Sequence, residues 1–122
     1  MENNASATLL AQYTASDAVA NTVFTAAGVQ VEVTRVVVCN TSASPVAFSI
    51  FHDNTDSATH DATTALYFGK SLAANDSFTL EITGPNGGIH IKSGGTIGFT
   101  DASSGDLTLS LYGISQSIAG RR

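Results

Sequence analysis

Two histidine–aspartate pairs, His52-Asp53 and His60-Asp61, bracket a polar stretch from Asp53 to Thr64. Carboxylates and imidazoles ligate cations, and they also move protons. Asp53, Asp56, His60 and Asp61 are therefore the residues of this chain with the best claim to chemistry, as a weak cation site. Their spacing is not that of an EF-hand loop, which needs Gly at its sixth position and Glu at its twelfth. The plainer reading is a solvated loop rich in turn-forming Asp and Asn, with His as polar filler. On that reading no metal and no cofactor is expected. Asp53, Asn54, Thr55, Asp56, His60 and Asp61 then become contact residues for a partner, together with Arg121 and Arg122 at the C-terminus. A loop of this length in a small domain commonly serves such a purpose.

Other catalytic signatures are missing. There is no G-x-S-x-G elbow, no phosphate-binding loop and no dinucleotide fingerprint. The lone Cys39 sits beside valines, far from the electropositive, open setting that activates a thiol. An enzyme is not expected. Sugar binding would call on aromatic faces, and with no Trp the candidates are Tyr13, Tyr67 and Tyr112.

The elements that must carry these residues are strands. Apolar residues alternate with polar ones at Phe78-Leu80-Ile82, Leu107-Leu109-Leu111, Ile97-Phe99, Ile89-Ile91 and Val46-Phe48-Ile50. Val29 to Asn40 predicts the longest strand: Val29, Val31 and Val33 alternate, then Val36, Val37 and Val38 run together. That change implies either a strand end covered on both faces or a bulge near Thr34-Arg35. Leu9–Thr14, Asn21–Thr25 and Leu66–Leu72, the last interrupted by Gly69, complete the set. Turns fall at 41–45, 73–76, 84–88 and 93–95, and Asp101 to Asp106 is expected to join the last two strands as a hairpin. The fold class is all-β: a single antiparallel β-sandwich, jelly-roll or Ig-like, over 8–114, with an N-terminal arm at 1–7 and a C-terminal tail at 115–122.

Charged residues make up 12% of the 122, about half the usual ~25%. Ser, Thr, Asn and Gly replace them, and a neutral polar surface is cheaper to desolvate than a charged one. That composition suits broad protein contact. The net charge of −5 and the scattered Arg35, Lys70, Lys92, Arg121 and Arg122 argue against nucleic acid and anionic membranes as partners. Residues 1–6 show no secretion-signal pattern, and no apolar run is long enough to cross a bilayer. The product is expected to be made and kept in the cytosol, or carried by an assembly that needs no secretion signal. Asn40-Thr41-Ser42 matches the glycosylation pattern, which has no meaning there.

A resemblance sharpens this picture. Ala26-Ala27-Gly28-Val29, Val33-Thr34-Arg35-Val36-Val37-Val38-Cys39-Asn40-Thr41-Ser42, Phe48-Ser49-Ile50, Ala73-Ala74-Asn75-Asp76-Ser77-Phe78 and Leu107 to Ile114 with Gly113 carry it. Together they resemble the small β-sandwich virion proteins of tailed bacteriophages, over roughly Leu9 to Ile114. In that family a Pro-Ala-Gly turn opens into a valine-rich strand ending in Cys-Asn; here Ala26 stands in the place of the proline. The resemblance implies a capsid decoration or cement protein, of cyanophage type, forming homotrimers on the major capsid protein within the virion. A tail, neck or fibre protein and a glycan-binding module are the alternatives.

Overall fold

The alternating segments form nine strands, described in a computed structural model over residues 7–15, 17–55, 57–82, 87–103 and 105–117. In chain order they are β1 (Thr8–Thr14), β2 (Asn21–Thr25), β3 (Val29–Asn40), β4 (Val46–Asp53), β5 (Ala65–Leu72), β6 (Ser77–Glu81), β7 (Ile89–Ile91), β8 (Thr96–Asp101) and β9 (Leu107–Ser117). They make two antiparallel sheets. The first runs β1-β9-β3-β6, with β7 also on β3; the second runs β2-β8-β4-β5. The sheets pack face to face as a β-sandwich.

Strand β3 shows how the sequence pattern becomes geometry. Its register against β9 slips between Val33 and Arg35, so the chain carries a bulge there. A bulge resets the side-chain alternation. Val31 and Val33 point into the core, and beyond the bulge so do Val36 and Val38, while Val37 is half-buried on the outer face. The bulge thus accounts for the valine run. It also divides the far edge of β3: β7 pairs with Val31–Val33 and β6 with Arg35–Cys39. Gly113 faces the bulge, and any Cβ there would collide with the Glu32 carbonyl oxygen.

The core lies between the sheets. Phe48, Ile50, Ile97 and Phe99 of the second sheet meet Val33, Val36, Val38, Leu109 and Leu111 of the first. Burying each such side chain contributes about 1.5–3 kcal/mol. Phe48 sits 6.2 Å from Phe99 and 5.6 Å from Phe78, ring centre to ring centre. Asn40 closes one end of the core. Its buried amide donates to the carbonyls of Ser44, Leu72 and Ala73 and accepts from the Ser42 amide and hydroxyl. Its role is therefore internal stapling.

Beyond one-residue shifts at strand ends, two expectations are corrected. Strand β9 runs on to Ser117, beyond the limit at Ile114, because residues 115–117 pair with Val29–Val31. Asp101 to Asp106 does not close a hairpin: β8 and β9 belong to opposite sheets, so this segment is a corner that carries the chain across the sandwich. Periodicity places strands but carries no information about which sheet each one joins.

Candidate functional site

The loop from Asn54 to Thr64 joins β4 to β5 within the second sheet. Its first half is organised by Asp53, the last residue of β4, which is buried. The Asp53 Oδ1 accepts from the Thr55 amide (2.9 Å) and hydroxyl (2.7 Å). Its Oδ2 accepts from the Ser57 hydroxyl (2.9 Å) and the Thr59 amide (2.6 Å). These donors, led by the Thr55 amide and hydroxyl and then the Thr59 amide, hold the carboxyl well below the usual carboxylate range. Asp61 repeats the grip on a smaller scale, accepting from the amide and hydroxyl of Thr63, which lower its pKa as well.

The second half of the loop folds back onto the outer face of the second sheet. The His60 Nε2 lies 2.8 Å from the Thr22 hydroxyl on β2. The ring rests on Gly98 of β8, where an added Cβ would stand 2.5 Å from Nδ1. Its centre is 5.9 Å from that of Phe51 on β4. The Nδ1 atom is buried without a hydrogen-bond partner. Burial pulls the His60 pKa below its ordinary value, and the opposing pull of Asp53, the Thr59 backbone and Asp61 does not make up the difference.

Of the four residues with a claim to cation chemistry, the three that are described, Asp53, His60 and Asp61, each turn to a different partner. Asp53 spends its acceptor capacity on its own loop. His60 turns toward Thr22 and Asp61 toward Thr63. Asp56, like Arg121 and Arg122, lies outside the described residues. Among the described residues no group of three or more His, Cys, Asp or Glu side chains is placed to hold a metal ion. Asn54 points elsewhere again: its carbonyl oxygen accepts from the Lys92 amide and lies 3.2 Å from His52 Nε2, and its amide donates to the His90 carbonyl. Of the contact candidates, Thr55 and Asp61 are exposed.

One anchor was not visible as such in the sequence. Asp101 is fully buried at the corner between β8 and β9. Its Oδ1 accepts from the Ser103 amide and hydroxyl, and its Oδ2 from the amides of Gly105 and Leu107. Burial raises its pKa, but the four donors outweigh that and leave it lowered. The signal was present as a repeated pattern: Asn40-x-Ser42, Asp53-x-Thr55, Asp61-x-Thr63 and Asp101-x-Ser103 each place an Asx side chain on the amide and hydroxyl two residues on.

The first sheet presents a different surface. Cross-strand register sets its outward residues in three rows running β1, β9, β3, β6: Leu9-Tyr112-Arg35-Glu81, Gln12-Ser110-Val37-Thr79 and Thr14-Thr108-Cys39-Ser77. Neighbours touch along the rows, Gln12 to Ser110 at 3.1 Å and Thr14 to Thr108 at 3.1 Å. In these rows the charged residues are Arg35 and Glu81, directly opposite each other, with the Arg35 guanidinium over the Tyr112 ring; further along β3, Glu32 adds a carboxylate that accepts from the Gly88 amide. A shallow groove of about 220 Å³ opens at that end, lined by Ala7, Thr34, Arg35, Glu81, Ile82 and Tyr112. The other tyrosines are engaged inside: Tyr13 packs edge-on against Phe99 and Tyr67 against Phe78.

The fold and these surfaces define an all-β sandwich built from two antiparallel sheets. No known family model matches the chain, and no curated protein matches it significantly.

Proposed function

We propose that this chain is a non-enzymatic structural protein of a virus particle, a capsid decoration or cement protein that works as a homotrimer on a lattice of major capsid protein. The outward face of the first sheet supports this reading. Across β1, β9, β3 and β6 its three rows are Thr, Ser, Gln, Val, Cys, Leu and Tyr side chains with one opposed charge pair, Arg35 and Glu81. Covering it strips few ions of their water, so modest complementary contacts outweigh the desolvation cost. Edge strands that a lone sandwich leaves open are protected when copies associate. Many such contacts linked on one particle raise the effective affinity far above that of any single one. The buried aspartates Asp53 and Asp101 serve the fold, which leaves contact to the sheet face.

A tail, neck or fibre location uses the same surface chemistry and differs in copy number. Imaging the native particle by electron cryomicroscopy separates the two. The decoration reading expects copies over the whole head at three-fold or quasi-three-fold points; a few copies at one vertex would move the protein to the tail. Sedimentation equilibrium of the purified chain is expected to give three copies, and a monomer at all concentrations would remove the trimer. Truncation tests of the terminal segments belong at residues 1–6 and 118–122, since 115–117 are part of β9.

A further inference from the structure

We infer that His60 is a pH-operated latch: the neutral imidazole clamps the β4–β5 loop onto the outer face of the second sheet, and protonation releases it. The inference is independent of the virion reading and rests on how the ring is seated.

Three contacts from three strands hold His60 down: the Thr22 hydroxyl on β2, the bare backbone of Gly98 on β8 and the Phe51 ring on β4. The seat is steric, because Gly98 leaves the one gap in β8 that admits a ring against the sheet. In the neutral form Nε2 exchanges one hydrogen bond with Thr22, and Nδ1 is buried without a partner. Whichever nitrogen holds the proton of the neutral ring, the imidazolium has an N–H at both, so the charged form sets a donor and a share of the positive charge at that buried edge. At a buried ring edge, an unmatched donor carrying part of a positive charge costs more than the neutral ring does, and the Thr59 backbone and the two aspartates offset only part of that cost. Lifting the ring off the sheet returns that edge to water, and the ring carries Thr59 and Asp61 with it.

The surrounding groups set the direction. The loop itself brings Asp53 and Asp61, which favour the charged ring but are committed to Thr55, Ser57, Thr59 and Thr63. Strand β2 brings no titratable side chain. Strand β8 brings only Asp101, bound into its own corner. From β4, His52 sits beside Asn54, and from β5 the Lys70 ammonium lies over the Phe78 ring. Burial of the ring therefore prevails, and its pKa stands below that of an open histidine. Asp53 and Asp61 are held ionised by their hydrogen bonds, so as pH falls below the ordinary histidine value of about 6.5 the latch responds to His60.

The test is amide hydrogen exchange of the full chain, corrected for the intrinsic pH dependence of exchange, with an NMR titration of the His60 ring. Protection of the Thr64 amide, bonded to the Asp61 carbonyl, and of the Thr59 amide is expected to fall severalfold between pH 7.5 and pH 5. Leu107 at the other aspartate corner should keep its protection. His60→Phe, which keeps a ring but cannot titrate, should make loop protection independent of pH. Should that variant fold poorly, Thr22→Val serves instead: it removes the hydroxyl and should weaken the loop at both pH values. Equal corrected protection at both pH values in the native chain would overturn the inference. So would an undiminished pH response in His60→Phe, or a His60 ring that titrates like an open histidine.

Discussion

The loops after β4 and β8 begin with the same device and end in different places. Each starts at a buried aspartate that closes a strand and takes the amide and hydroxyl two residues on: Thr55 for Asp53, Ser103 for Asp101. At Asp101 the grip ends on the Leu107 amide, the first residue of β9, so it ties the two sheets together. At Asp53 it ends on Thr59 inside the loop, and both strands it joins lie in one sheet. One aspartate is a corner post of the sandwich; the other shapes an appendage that His60 fastens to the sheet. The same local chemistry yields global or local stability according to what the last donor belongs to.

The largest effect should come from breaking the corner. Asp101→Ala leaves the buried Leu107 amide and its neighbours unpaired and is expected to cost about 3 kcal/mol of global stability, read from urea unfolding at pH 7. Asp53→Ala should produce mainly local opening, seen as exchange and proteolytic nicking between residues 54 and 64. If the two substitutions lower global stability equally, the contrast between corner and appendage is lost.

The pH dependence divides along the same line. His60 has a lowered folded pKa, so an open or unfolded chain takes up its proton first. Its contribution is complete above an ordinary histidine value of about 6.5 and declines as pH falls below that. Asp53, Asp61 and Asp101 have lowered folded values; their contribution is complete above an ordinary value of about 3.9 and is lost as pH falls further. Acid unfolding should therefore show a shallow phase and then a steep one. His60→Phe should erase only the first, and erasure of the second as well would show that the loop is not a separate unit.

Gly98→Ala is expected to unseat the ring and expose Phe51, with a smaller loss than Asp101→Ala, measured by the same unfolding curves. At the bottom of the scale, Val37→Glu with Thr79→Lys on the outer face of the first sheet should change stability by no more than about 0.5 kcal/mol.

Much of the fold was legible in the residues. Alternation placed the strands because each has one face in the core, and the Thr34–Arg35 bulge showed itself as a break in that alternation. The hidden parts are long-range. His60 finds its seat at Gly98 and Thr22, and nothing local to His60 announces a missing side chain on another strand. The Asp101 corner was misread as a hairpin because a turn looks the same whether it joins neighbours in one sheet or crosses between two.

The most direct test of the proposed decoration role is addition of the purified chain to phage heads that lack it. On that proposal the native protein should bind to saturation and raise resistance to heat or dilution, while the Val37→Glu, Thr79→Lys variant, equally folded, should fail to attach. Attachment of that variant with native affinity, or no attachment of the native chain, would contradict the claim that this neutral sheet face exists to be covered by other proteins.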